Sequence, residues 1–383
     1  MIEIQCIRDE KSLRGLAPLW NDLLRRSASD CICMTWEWVS TWWDVYGGAY
    51  RPFVLVAREG GKAPCAIAPL MIGRGPAGVK RLFRHLMFIG QGEEVFPEYL
   101  DLIIERGREE ELTGALLDFI LGPGRRSWDV LLLERVLRSS PNFQSLTRGL
   151  QQRGLRLRVD NDMVCPFTPL PASWDEFLKT RSGNFRSKVR SPRKKLERMG
   201  EVRFLQADKE IALDRAFDLL VELNRERWKE QGASFRSESY TRFHHELCRR
   251  VIDRGWLFMM ILTVDGEPVG ARYDFHYADK IWNNQGGWRT DFTKLPLGNI
   301  MLAHGVEWAI EHGCVEYDFM GGDAEHKRRW STDQRTMVDL CAGNTSLTGR
   351  GYEALLSLRQ ALRPVEARLQ RLKSLAALRS PRR

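Results

Sequence analysis

A repeated hairpin constrains this 383-residue chain more than any other feature of its sequence. Residues 53–70 read FVLVAREGGKAPCAIAPL, and residues 258–275 read FMMILTVDGEPVGARYDF. Each is an apolar run, a glycine-containing turn and a second apolar run, the pattern of a β-hairpin. The two align without a gap, so that Phe53 falls on Phe258, Gly61 on Gly266 and Ala66 on Ala271. Their neighbours correspond as well. A helix rich in aromatic or apolar positions precedes each, at 36–46 and 240–252, and a short apolar strand follows each, at 128–133 and 315–320. A gapless match with matching neighbours reads as a duplicated α/β unit.

The length suits two domains of ordinary size. The expected division is 1–165, 166–350 and a tail at 351–383, with a linker near 160–173 where Pro166, Pro169 and Pro171 cluster. In the second half a helix is predicted over about 209–231, with Ala212, Ala216, Leu219, Leu220 and Leu223 at helical spacing. A second helix and the hairpin follow, then a strand at 280–288 and a polar loop. A helix over 297–312 ends at Gly313, where a C-terminal glycine belongs. Further strands are expected at 315–320 and around 335–342.

Composition removes several classes. Hydrophobic residues are 43% and charged residues 28%, a globular balance rather than a disordered one. No stretch approaches the ~20 apolar residues of a membrane span, and the first twenty residues lack the apolar core of a signal peptide. The eight cysteines show no CxxC or His-paired spacing, so no metal site is expected and the thiols read as reduced and buried in a cytosolic protein. No GxxxxGK[ST] or GxGxxG occurs. The net charge of +9 favours an anionic partner without saying which.

Three segments carry candidate chemistry. Pro296, Leu297, Gly298 and Asn299 open the predicted 297–312 helix, whose N-terminal N–H groups and dipole can receive an anion; a plain tight turn is the alternative. The run DFMGGDAEHK ends a strand in an acid and turns on two glycines. Asp318, Glu325 and His326 are candidates to take a proton, and Lys327 to hold an anion or a developing oxyanion; a solvated surface loop is the alternative. The basic segment NFRSKVRSPRKKLERMG supplies Arg186, Arg190 and Lys194 as candidate contacts to a phosphate-bearing substrate. Such a run also serves as a solvated face, and nothing aromatic interleaves it, so nucleic acid is not the expected partner.

The order of these segments resembles one family. The basic segment, LNRERWKEQG, the 258–275 hairpin, the strand KIWNNQGGW with Trp288 at its end, and LPLGNIMLAHGVEWAIEHGCVEYDFMGGDAEHKRRW follow as in the CelD/BcsL-type branch of the GNAT superfamily, itself similar to FemAB-like transferases. The likeness covers about 184–343; TWEWVSTWWDVYG and FPEYLDLII extend it into the first half. It implies tandem GNAT-like folds, each a twisted mixed sheet flanked by helices. It also implies acetyl-CoA or another acyl-CoA as donor and no metal, with a small-molecule or nucleotide-linked amine as acceptor, in exopolysaccharide, cellulose or cell-envelope synthesis. By the same resemblance Pro296–Asn299 meet the cofactor, Asp318, Glu325 and Lys327 match a strand-end acid and a Gly-acid-Lys motif, and His326 replaces an aromatic. The family's adjacent Pro-Gly is here split by Leu297.

Two other classes stay open at this stage. One is a FemAB-like transferase that uses aminoacyl-tRNA. The other is a catalytically idle accessory protein of a polysaccharide synthase. The first half has ERVLRSSPN where the second has its GGDAEHK motif, and is expected to be a degenerate copy that shapes an acceptor cleft. The tail repeats leucines at spacings of three and four beside arginines. A basic amphipathic helix of this kind either docks on the protein or lies on an inner-membrane surface near a membrane-associated synthesis machinery.

Overall fold

The computed structural model describes residues 1–75, 81–229, 232, 234–292 and 295–356. Most of the tail, including its leucine repeat beyond Leu356, lies outside them. In the first half the strands are β1 (Ile2–Ile7), β2 (Arg51–Pro52), β3 (Val54–Glu59), β4 (Ala66–Ala68), β5 (Leu70–Arg74), β6 (Arg84–Phe88), β7 (Ile103–Ile104) and β8 (Val130–Leu137). Then come β9 (Arg158–Pro169), β10 (Val202–Gln206), β11 (Leu257–Val264), β12 (Glu267–Tyr277), β13 (Lys280–Trp288), β14 (Glu316–Asp318) and β15 (Asp333–Gly343). They form a four-stranded sheet, β1-β3-β4-β7, and an eleven-stranded sheet, β10-β11-β12-β13-β14-β9-β15-β8-β6-β5-β2.

The duplication is visible in the pairing. Each half carries an antiparallel meander that ends in one parallel pair: β6 with β8, and β13 with β14. A helix lies between the members of each pair, Glu109–Leu121 in the first half and Leu297–Glu311 in the second. The helices preceding the two hairpins, Trp36–Tyr46 and Glu238–Ile252, pack on each other, with the Trp38 and Phe243 rings 5.3 Å apart. The hairpins themselves differ by one residue in register. Leu55 pairs with Ala68, whereas their alignment partners Met260 and Tyr273 do not pair, Met260 facing Arg272 instead. A two-residue turn at Asp265 and Gly266, with an irregularity at Leu262/Thr263, replaces the longer first-half turn.

The linker expected near 160–173 is instead mostly strand. β9 runs through it, antiparallel to β14 on one side and β15 on the other, so the boundary expected at 165 falls inside a strand. Pro166 lacks a donor, but its carbonyl still accepts the Phe319 N–H at 2.9 Å, so the proline costs the ladder only one bond. β15, the last strand of the second half, reaches back to pair with β8 of the first. The halves thereby share one sheet. The strands expected around 335–342 are this single strand, 333–343.

In the second half Lys280–Trp288 and Leu297–Glu311 match the apolar periodicity to within a residue, while the helix expected over 209–231 is shorter, Leu213–Arg227. Gly313 has φ +74° beyond the last helix, the left-handed conformation that makes glycine the favoured residue there. Trp20, Trp42, Trp128 and Trp330 are fully buried, which accounts for four of the tryptophans as core. The thiols of Cys31, Cys33, Cys65, Cys165, Cys248 and Cys314 are buried and free, with Cys6 and Cys341 partly exposed. Among the described residues no helix is long and apolar enough to cross a membrane, and no group of His, Cys, Asp or Glu is placed to hold a metal.

Candidate active site

β13 and β14 pair for only three residues, Lys280–Trp282 against Glu316–Asp318, and then part. β13 continues to Trp288 along β12, while the chain after Asp318 turns away. A register shift at Tyr273/Asp274 leaves Asn284 as the extra residue of β13, just past the parting. Its backbone N–H and the Asn283 side chain donate to Asp274, at 3.0 and 2.8 Å, and Tyr317 and Arg272 donate to the same fully buried carboxylate. The Asn284 side-chain nitrogen is buried beside the Tyr273 hydroxyl.

Asp318 closes β14 and is fully buried. The Tyr99 hydroxyl donates to it at 2.9 Å, an Arg335 Nη at 2.8 Å and the Met320 N–H at 2.7 Å. Burial raises its carboxyl to about 6, against the lowering effect of Arg335. Arg335 also pairs with Glu316 and lies over the Phe167 ring. Held on three sides and without exposed surface, Asp318 fixes the turn that follows and ties it to Tyr99 of the first half.

That turn is left-handed at Met320 (φ +59°) and Gly322 (φ +107°). Gly321 is demanded by close approach, because a Cβ there would lie 2.5 Å from Met163 Sδ and 2.8 Å from Glu98 Oε1. The Gly321 peptide joins two ionisable groups. Its N–H donates to Glu98 at 2.5 Å, and its carbonyl accepts from Lys327 Nζ at 2.6 Å. Burial raises the Glu98 carboxyl, opposed by the Gly321 N–H and by Lys327; burial lowers the Lys327 amine, opposed by Glu98 and Asp318. A carboxylate and an amine pushed toward neutrality at one turn are suited to proton transfer.

The structure thus brings Asp318 and Lys327 to one turn. It sets Glu325 and His326 apart, on the exposed side of the short helix Glu325–Trp330, where Glu325 pairs with Arg329 at 2.6 Å. Burial lowers the His326 imidazole, with Lys327 adding to the effect. Glu98, Tyr99 and Arg335 were not among the residues the motifs singled out. Two of them lie in FPEYLDLII, visible as a family-like segment but with nothing local to aim it at residue 321.

The opening of the Leu297–Glu311 helix differs from a bare row of donors. The Leu297 N–H donates to Leu295 O, and the Asn299 and Ile300 N–H groups to Pro296 O. Gly298 faces Trp288, whose ring would lie 2.7 Å from an added Cβ. Asn299 joins three elements: its amide donates to Lys188 O in the Gly183–Glu197 helix at 3.1 Å, and its oxygen accepts from Trp330 Nε1 at 2.8 Å. Arg186 spends one guanidinium N–H on Arg181 O, while Arg190 and Lys194 are exposed and have no ion-pair partner among the described residues. Trp288 meets Trp228 edge-on, with Arg227 over both rings.

In the first half the parting strands β6 and β8 are bridged. The buried Gln91 side chain accepts from Phe88 N at 2.8 Å and donates to Leu132 O at 3.2 Å. Below this bridge opens a cleft of about 1640 Å³ that runs from Gly90, Gln91 and Leu132 past β9 to Gly322 and Asp323. Carboxylates outnumber guanidiniums along it, seven to three, which favours a cationic or hydroxyl-rich occupant.

Residues 183–328 match the family described as acetyltransferase (GNAT) domain. No curated protein matches the chain. Among solved structures, FemX superposes with a TM-score of 0.66 at 12% identity, over 92% of this chain and 99% of that one. A conserved protein of unknown function from Bacteroides thetaiotaomicron gives 0.53 at 11% identity, over 89% and 100%. The C-terminal domain of a putative lysylphosphatidylglycerol synthetase from Agrobacterium fabrum gives 0.50 at 11%, over 91% and 95%. The chain therefore shares the fold of FemX over nearly its whole length, and its second half is similar to GNAT acetyltransferase domains.

Proposed function

We propose that the chain is an acyltransferase that moves an acyl group from coenzyme A to an amine of a polar acceptor. The observation that carries this reading is the parting of β13 and β14 beside the Glu98–Gly321–Lys327 turn. An open strand pair offers unpaired backbone groups to an extended arm. Bound at this opening, the thioester would supply an already activated carbonyl. The chain then has little left to do beyond orientation and proton handling. Glu98 takes the proton from the acceptor ammonium, freeing the lone pair that forms the new C–N bond. Lys327, with two N–H groups spent on Met320 O and Gly321 O, directs its third toward the developing oxyanion. The acyl–sulfur bond breaks, and the leaving thiolate takes the second proton from the nitrogen, giving the amide and the free thiol. Asp318 and Tyr99 hold the turn in place, and Gly298, Trp288, Arg190 and Lys194 form the end that meets the donor's phosphates. The acid-rich cleft suits the ammonium acceptor, and the ordered motifs favour exopolysaccharide or cell-envelope synthesis.

The fold shared with FemX supports a second reading, in which charged tRNA is the donor. The two separate cleanly in an assay of purified protein with a panel of amino sugars and amino acids. Activity that needs acyl-CoA and survives RNase treatment is the expected result. Activity that needs charged tRNA and falls steeply with salt would overturn the first reading in favour of the second.

A further inference from the structure

The first half carries a pocket that acyl transfer does not use. It opens at β2, the edge strand of the eleven-stranded sheet, encloses about 640 Å³ and is lined by Arg8, Arg51, Arg74, Arg84 and Arg126 around Phe53. Among the described residues no carboxylate lines it. Strand register alone requires part of this crowding. Arg51 pairs with Ile72, which shares a face with Arg74, and Arg74 pairs directly with Arg84. Three arginines on adjacent strands β2, β5 and β6 therefore point to one side. Like charges directly opposite across a ladder repel, so the arrangement is costly unless something anionic sits among them.

The chain supplies little of that anion itself. Asp129 engages Arg84 through two bonds, at 2.9 and 3.0 Å. Arg8, Arg51, Arg74 and Arg126 have no ion-pair partner among the described residues. Arg8 gives one N–H to Ser127 and lies over the Phe53 ring, and Arg74 gives one to Leu82 O. A neighbouring hollow of about 690 Å³ shares Arg84 and Arg126 and adds Arg125. Planar guanidinium forks match tetrahedral phosphate oxygens in pairs. Arg74 also lines the acid-rich cleft, so pocket and cleft adjoin there.

We propose that this pocket binds a phosphate-bearing ligand, with the guanidiniums of Arg51, Arg74 and Arg126 as its main contacts. The phosphate belongs either to a soluble phosphorylated compound or to a phospholipid headgroup. The proposal does not depend on the donor being coenzyme A.

The test uses the full chain and pyrophosphate as probe, by calorimetry and by the shift in melting temperature. Wild type is expected to bind pyrophosphate in this pocket, apart from any held at the donor end near Gly298, and Arg51→Gln with Arg126→Gln to weaken the pocket's binding by about tenfold or more, since each removes charge-assisted bonds. A control carrying Arg138→Gln and Arg148→Gln removes equal charge from exposed sites elsewhere and should bind as wild type. Melting without ligand confirms that all three are folded. Equal binding by the pocket variant and the control would overturn the proposal, as would no binding by wild type. Vesicles of phosphatidylglycerol and of phosphatidylcholine identify the source: capture by the former, competed by pyrophosphate, indicates a headgroup, and pyrophosphate binding without vesicle capture indicates a soluble ligand.

Discussion

The Gly321 peptide couples a carboxylate from one half of the chain to an amine from the other, the pair proposed to handle the proton. Glu98→Gln keeps the acceptor oxygen for the Gly321 N–H but cannot take a proton, so kcat should fall by about 10²–10⁴ with little change in donor binding. Lys327→Met should lower kcat by a similar order, about 10²–10³, by removing an oxyanion donor. Steady-state rates with folding confirmed by circular dichroism check both; unchanged kcat in either removes that residue from the mechanism. Arg335 makes a different prediction. Burial holds the Asp318 carboxyl near 6, above its usual value, so this group stabilises the fold at low pH and that contribution is lost as pH rises through about 6. Removing Arg335 takes away the main influence that lowers it. Arg335→Met should therefore cost about 3–5 kcal/mol at pH 8 and distinctly less at pH 5. Urea denaturation at the two pH values measures this, and an equal loss at both would show that Arg335 does not compensate the Asp318 charge. At this scale Asp318 and Lys327 were legible because a strand-end acid, two glycines and a lysine stand together. Glu98 and Tyr99 were not, because their partners lie more than two hundred residues away.

The helix Leu297–Glu311 shows how an element positions chemistry without performing it. Its opening donors are largely spent on its own turn, and Asn299 ties it to the basic helix and to Trp330. Asn299→Ala strands the indole N–H of a fully buried tryptophan and should cost about 1–3 kcal/mol, whereas Asn299→Asp, which keeps an oxygen acceptor, should cost less. Equal urea midpoints for the two variants would mean that the Trp330 bond is not what Asn299 contributes. Helical periodicity exposed this element and its neighbours to direct reading. β9 was misread because prolines signal linkers locally, while a strand whose partners are β14 and β15 is specified by residues far away in sequence. The hairpin repeat was legible because both copies keep the same alternation and turn glycine. Its one-residue register slip was not, since register follows turn length and pairing irregularities rather than composition.

Across the whole molecule, the pairing of β15 with β8 and β9 joins the two copies of the repeat in one sheet, so they are expected to unfold together. Tryptophan fluorescence and far-ultraviolet circular dichroism should report a single coincident unfolding transition; two separated transitions would show that the shared sheet does not couple the halves. The duplication also raises the question of how many donor sites exist. Gln91 bridges β6 to β8, where the corresponding strands of the second half part freely, and the first half has no counterpart of the Gly321–Lys327 turn. On the proposed reading, one half is closed to a donor and the other open. Isothermal titration of acetyl-CoA and longer acyl-CoAs into the full chain tests this central claim most directly. One site per chain is the expected result. Absence of heat for every coenzyme A species with folded protein, or two equivalent sites per chain, would contradict it.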